Sequence, residues 1–445
     1  MVVKYRTRLT DLLGKHNFID YAPLSEPWAY LCLGLFEPLE AVFHFRKGDS
    51  SMAAKAYLDR GVSPTKDDVK KAVSDQSRGL YPGAFCKILP DIAGDPAYCM
   101  AVHADGAGTK SAVAYMMYRE TGDPSWFSGI AQDSLVMNTD DMACVGVVDG
   151  FLLSNTIGRN AHRVDGACIS AIIQGYGETI ARLRRLGVGI EMTGGETADV
   201  GDLVRTAIVD STMVVRFRRD QVVDASCIRP GNVILGLSSF GRSIYEDRVN
   251  SGIGSNGLTA ARHLLLSPIY RERYPETYSE TLSEKTAYVG RFELSDRLPG
   301  EDAADGTGLT AGEALLSPTR TYLPVVREIL ASCRAAITGL IHCTGGGLVK
   351  CRDFGTGLKY IKDNLFPTPA VFRAIQSSGA VDRKEMYQIF NMGHRLEIFC
   401  DPGAADEILW ISESFGVAAR VIGRVEASAG DNQVLIADQG EAYLF

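Results

Sequence analysis

Between Tyr81 and Phe217, short apolar runs alternate with helix-length amphipathic stretches, which commits this part of the chain to a sheet covered by helices. The run GFLLSNTIG is too short for a buried helix and too apolar for a loop. It is followed by Gly166–Leu186, where Ile169, Ile172, Ile173, Tyr176, Ile180 and Leu183 recur at three- and four-residue spacing and predict one apolar helix face. The segment IRPGNVILGLSS, residues 228–239, reads as a turn and a buried strand and is the natural domain boundary. A second α/β unit follows, with strands expected at Val233–Leu237, Arg395–Phe399 and Ala419–Val425 and helices around Leu258–Leu266 and Thr321–Ala331. Residues 271–312 are polar and irregular and read as a surface insertion.

Three acidic, glycine-marked segments sit in the first unit: HADGAGTK (His103–Lys110), DSLVMNTDD (Asp133–Asp141) and TGGETAD (Thr193–Asp199). The first follows an apolar run, Tyr98–Val102, so Asp105 is expected to leave a strand and enter a glycine loop. Gly106, Gly108, Thr109 and Lys110 can then offer N–H groups, a hydroxyl and a cation to phosphates, although the spacing is not that of a P-loop. Asp133 and Asp140 are seven residues apart on an expected helix and share a face. Apolar flanks bury the Asp140–Asp141 pair, which is costly unless something cationic compensates it. Glu196 follows Gly194 and Gly195 directly. Carboxylates delivered in this way suit Mg²⁺, which takes one or two of them together with phosphate oxygens and water. Capping and tight turns are the structural alternatives for Asp105 and for the GGET glycines.

Composition narrows the class. A formal charge of −8 without a compensating basic stripe excludes a nucleic-acid-binding role. The most apolar early stretch, Trp28–Phe36, is too short to span a membrane and lacks a cleavage pattern, which leaves a cytoplasmic protein. The 10 cysteines contain no CxxC pair, and Cys343 and Cys351 read as reduced thiols rather than as zinc ligands. The first fifty residues carry three prolines and no sustained period, so residues 1–51 are expected to be a poorly ordered extension foreign to the fold. Helix-start chemistry begins only with Met52 and with Ser63 before Pro64.

Further motifs lie downstream: GSNG (Gly254–Gly257), SPTRTY (Ser317–Tyr322), HCTGGG (His342–Gly347) and EMYQIFNMG (Glu385–Gly393). Glycines after Thr344 make a plausible anion site, and His342 reads as a structural or substrate-contacting histidine. In this order, with DGAGTK, DSLVMNTDD and GGETAD, the motifs resemble those of the phosphoribosylformylglycinamidine cyclo-ligase family, also called aminoimidazole ribonucleotide synthase. The resemblance spans roughly residues 56–428. It implies an α/β fold of two domains, residues 52–228 binding ATP and metal and residues 229–445 forming an α/β sandwich. The first domain is expected to build the sheet of a homodimer, with ATP and Mg²⁺ near that interface. The substrate implied is formylglycinamidine ribonucleotide.

Carried over residue by residue, the resemblance gives Asp105, Asp141 and Glu196 to the metal, and Asp105, Lys110 and Asp141 to catalysis. Gly106, Gly108, Thr109, Lys110, Asp133, Gly194, Gly195 and Glu196 fall to the nucleotide. Ser255, Asn256, Arg320, His342, Thr344, Gly345, Gly346 and Asn391 fall to the substrate. The sequence departs from the family at SRGLYPGAFCKI, where Arg78 stands for a lysine and the glycine loop is shortened, and at FLLSNTIGR, Phe151–Arg159. A sister ATP-using enzyme and a catalytically silent nucleotide-binding relative are the competing readings.

Overall fold

The computed structural model describes residues 55–63, 67–300, 306, 308–379 and 381–445. The extension expected over residues 1–51 lies outside them. Two sheets organise the described residues. The first, in order β1-β2-β5-β3-β4, is made of β1 (Ile88–Pro90), β2 (Tyr98–Gly106), β3 (Phe151–Arg159), β4 (Ile190–Asp199) and β5 (Ala207–Arg218). Only β3 and β4 run parallel, joined by the Gly166–Arg185 helix; the other neighbours are antiparallel.

The second sheet has the order β12-β11-β8-β10-β6-β9-β7. Its strands are β6 (Val233–Ser238), β7 (Ile337–His342), β8 (Leu358–Lys362), β9 (His394–Cys400), β10 (Ala419–Ala427), β11 (Gln433–Asp438) and β12 (Glu441–Leu444). The expected strands at β6, β9 and β10 are all present, as are helices at Leu258–Leu265 and Leu323–Cys333.

The Gly166–Arg185 helix shows why its sequence folds as it does. Asp165 caps it by accepting the Cys168 amide at 3.1 Å, and Arg182, Arg184 and Arg185 occupy the last turn, where the helix dipole favours cations. Its buried stripe runs through Cys168, Ile172, Gly175, Tyr176, Thr179, Ile180 and Leu183. Ile173 instead faces solvent, because the 3.6-residue period turns it away from the stripe. Gly175 lies so close to the Ser128–Ala143 helix that a Cβ there would sit 2.2 Å from the Ser128 carbonyl oxygen.

That second helix, the acidic one, is buried from Asp133 through Ala143. One side packs on β2 and β5; the other meets the Ser317–Tyr322 segment of the second half.

One face of the first sheet packs on helices and the other is open. Along β5, Val209, Ser211, Met213, Val215 and Phe217 are buried, and the residues between them alternate outward. Val102, Leu152 and Ile208 stand on that open face, each more than two-fifths exposed.

The supposed insertion at 271–312 is a correction. Tyr274 and Tyr288 are buried there with Phe292, Leu294 and Leu298; the Tyr274 ring stacks on Tyr270, just before the segment, and Tyr288 meets Tyr270 edge-on. Aromatic bulk, rather than regular period, drives this packing.

Candidate functional site

Asp105 and Asp141 are brought to one face of the first sheet. β2 runs through Asp105 to Gly106, so Asp105 ends the strand instead of following it. Pleating places Asp105 on the helix-covered side, on one rung with Ser211 of β5 and Asn155 of β3. Asn138 of the acidic helix donates from Nδ2 to the Asp105 carbonyl at 3.1 Å. Asp141 follows Asn138 by three residues, which puts both on the helix face that meets this strand end.

Histidines grip Asp141 from both sides. His342, at the end of β7, donates from Nδ1 to Asp141 Oδ1 at 2.7 Å, and His103 Nε2 lies 3.4 Å from Oδ2. Burial alone would raise the Asp141 carboxyl, but these two partners outweigh it and hold the pKa at about 2. For His103, burial pulls the pKa down, while Asp141 and the Asn138 side chain lift it to about 9. Behind His342, Arg395 donates from Nε to His342 Nε2 at 2.9 Å and from Nη2 to the Arg320 carbonyl. The chain Arg395–His342–Asp141 thus fixes the tautomer of His342 and the orientation of the carboxylate.

Several expected site residues turn inward. Lys110 is wholly buried; its Nζ donates to Asp133 Oδ1 at 2.8 Å and to the Ser317 carbonyl at 2.5 Å, so it is not presented to phosphate. Burial lowers its pKa, and Asp133 opposes that shift. Asp133 is likewise internal, accepting the Thr319 amide at 2.7 Å and the Thr319 hydroxyl at 2.5 Å. Arg320 forks onto Glu246, with Nη2 to Oε2 at 2.5 Å, and spends Nη1 on the Ser238 and Phe240 carbonyls. Asn391 braces the loop before GSNG, accepting from Ser239 Oγ at 2.8 Å and donating to the Gly252 carbonyl at 2.8 Å. His342 is fully buried between its partners and is not presented to substrate. These buried groups find partners inside the fold, except that Asp133 Oδ2 is buried without one.

Glu196 does not join Asp105 and Asp141. Its rung runs Gly106, Asp210, Thr156, Glu196 across β2, β5, β3 and β4, on the open face of the sheet. The one-residue offset from the Asp105 rung sends the two acids to opposite faces. Gly194 and Gly195 lie within β4 and are exposed.

Other expected residues do face outward. Asp105 and Gly108 are exposed, and nothing would stand within 4 Å of a Cβ on Gly108 or Gly345. Thr109 shares a hydrogen bond with Thr259 at 2.9 Å, linking the DGAGTK turn to the helix that follows the GSNG loop. Ser255 shares one with Thr319 at 3.1 Å, while Asn256 Oδ1 is buried and has no partner. Thr344 is buried, with Gly345 and Gly346 beside it at the surface.

The residues around Asp105 and Asp141 that sequence reasoning missed are His103, Asn138 and Arg395. His103 had a readable signal, since it stands two residues before Asp105 on the same strand face.

Residues 86–216 match the AIR synthase related protein N-terminal domain, and residues 299–435 match the corresponding C-terminal domain. The chain belongs to the AIR synthase related family. Among its AIR synthase related relatives, the phosphoribosylformylglycinamidine cyclo-ligase of Methanocaldococcus jannaschii is 27% identical over 331 residues, covering 74% of this chain and 78% of the relative. That of Methanococcus maripaludis strain C7 is 27% identical over 393 residues, covering 84% and 93%. The Desulfotalea psychrophila enzyme is 27% identical over 384 residues, covering 84% and 92%. Solved structures with partial likeness include the E. coli hydrogenase maturation protein HypE, at TM-score 0.48 and 15% identity over 80% of this chain and 86% of that one. T. maritima PurL complexed with FGAR gives TM-score 0.46 at 15% identity over 78% of this chain and 45% of that one.

Proposed function

We propose that this protein closes formylglycinamidine ribonucleotide to aminoimidazole ribonucleotide, consuming ATP with Mg²⁺ and releasing ADP and phosphate. The observation that carries the reading is the pair Asp105 and Asp141, set on one face of the first sheet with Asp141 held ionised by His103 and His342. Hard carboxylate oxygens beside open glycine turns are the donor set Mg²⁺ prefers, and Asp105 and Asp141 would hold it. The ion would neutralise phosphate charge when bound.

The chain's own residues supply positioning. Gly108 and Thr109 offer N–H and hydroxyl donors to phosphates just past the end of β2, while the Gly106 N–H donates to Asp105 Oδ1 at 2.7 Å. Asn256 Oδ1, buried without a partner, would take a donor from the substrate, and Ser255 beside it in sequence and Thr344, Gly345 and Gly346 after β7 are the other substrate contacts of this reading. The amide oxygen of the substrate is a poor leaving group until it is phosphorylated; an amidine nitrogen of the same molecule then displaces phosphate and closes the ring. Such chemistry depends on orientation and charge neutralisation more than on a protein nucleophile.

Glu196, with Gly194 and Gly195, faces the open side, where a second copy would cover Val102, Leu152 and Ile208. We therefore take the working form as a cytoplasmic homodimer, with a boundary near residue 228 between the nucleotide-binding and C-terminal domains.

Purified protein given formylglycinamidine ribonucleotide, ATP and Mg²⁺ is expected to release ADP and phosphate in step with aminoimidazole ribonucleotide. Asp105→Asn and Asp141→Asn should each lower turnover by about 10²-fold or more while the circular dichroism spectrum is retained. No product from the wild type, or full activity in both variants, would sink the assignment.

A further inference from the structure

A second cluster of ligand-type side chains lies in the C-terminal sheet, and the reaction above makes no use of it. Cys343 follows β7, and its amide donates to the Arg395 carbonyl at 2.7 Å. His394 and Glu397 sit three apart on β9, a separation that a regular strand sends to opposite faces. Here the register slips between Leu237 and Ser238 of β6, and this irregularity lets His394 Nε2 approach Glu397 Oε1 at 3.0 Å. One donor atom from each of Cys343, His394 and Glu397 lies within 4.8 Å of the other two. All three side chains are at most 1% exposed.

Lys362 accounts for only part of this group. Its Nζ donates to Glu397 Oε1 and to the Leu348 carbonyl, both at 2.5 Å. That leaves Glu397 Oε2 and His394 Nδ1 buried with no hydrogen-bond partner. An unsatisfied buried acceptor costs about 1–3 kcal/mol, so native folds rarely keep two side by side without something to meet them.

We propose that Cys343, His394 and Glu397 form a buried zinc site. Thiolate sulfur, imidazole nitrogen and carboxylate oxygen together suit Zn²⁺, whereas Mg²⁺ and Ca²⁺ select oxygen alone. The cluster therefore differs in chemistry from the carboxylates at Asp105 and Asp141. Binding exchanges the Cys343 thiol proton, released to solvent, for the metal–sulfur bond. The thiolate and the carboxylate together balance the charge of the ion, and Lys362 stays hydrogen-bonded to the Glu397 carboxylate as its outer partner. With every ligand internal, the ion enters during folding and serves the sheet, holding the end of β7 to β9.

The test is the zinc content of protein produced in zinc-supplemented medium and desalted, measured by inductively coupled plasma mass spectrometry. About one zinc per chain is expected in the wild type and in Cys400→Ser, another buried cysteine of the same sheet, with a loss of most of it in Cys343→Ser. Zinc absent from the wild type, or equal in Cys343→Ser, overturns the site. Should Cys343→Ser not fold, the zinc K-edge spectrum of the wild type decides: sulfur in the first coordination shell supports the site, and a shell of nitrogen and oxygen alone overturns it.

Discussion

Arg320 shows how a residue that a motif singles out can be engaged within the fold, here by Glu246. Arg320 is 1% exposed and spends its guanidinium on the Glu246 carboxylate and on two backbone carbonyls. Burial would raise the Glu246 pKa, but Arg320 more than reverses this and the net direction is down. A carboxyl lowered in the folded state contributes stability that is present above its unfolded value and lost as pH falls through the folded one. Glu246→Gln is therefore expected to cost about 3 kcal/mol or more near neutral pH, as breaking a buried pair does. Urea titrations from neutral pH down into the acid range should show the gap between variant and wild type closing below about pH 4.3. A gap that persists in acid would remove the ion pair as its cause. The partners of Asp141 and Lys110 were equally hidden from a local reading. Both stand in motifs that the sequence displays, but His342 lies 201 positions from Asp141 and Asp133 lies 23 from Lys110, so no local reading pairs them.

At the scale of elements, the long amphipathic helix and the strands β6, β9 and β10 were legible because each carries its own period or apolar run. Less legible was anything decided by a partner element. The acidic helix has no polar face, since Asp133 and Asp140 are bonded to residues of the Ser317–Tyr322 segment. Glu196 looked close to Asp105 in character, and only the pleat of the sheet shows that they part. The Tyr270–Leu298 region was misread because aromatic packing leaves no periodic trace. Contact between the two long helices offers a direct test. Gly175→Ala would press a methyl into the Ser128 carbonyl, so a destabilisation of about 1–3 kcal/mol is expected from denaturant unfolding. Unchanged stability would mean that the two helices part more readily than their packing indicates.

For the whole molecule, the open sheet face and the Ser317–Tyr322 segment matter most. If a second copy covers Leu152 and its neighbours, Leu152→Arg should convert the protein to a monomer in sedimentation velocity and lower ring-closing turnover. A wild type already monomeric at micromolar concentration would withdraw the dimer. The Ser317–Tyr322 segment ties the halves together: Lys110 holds the Ser317 carbonyl, Asp133 holds Thr319, Asp140 holds Thr321 and Tyr322, and the Tyr322 hydroxyl reaches the Leu237 and Ser238 carbonyls of β6.

These ties bear on inheritance. A chimaera that takes its front half from one relative and its back half from another would set a foreign strap against Asp133 and Asp140. Divergence at one end of those bonds is tolerable only when the other end changes with it. The acidic helix and the strap, though some 180 residues apart, behave as a single hereditary unit.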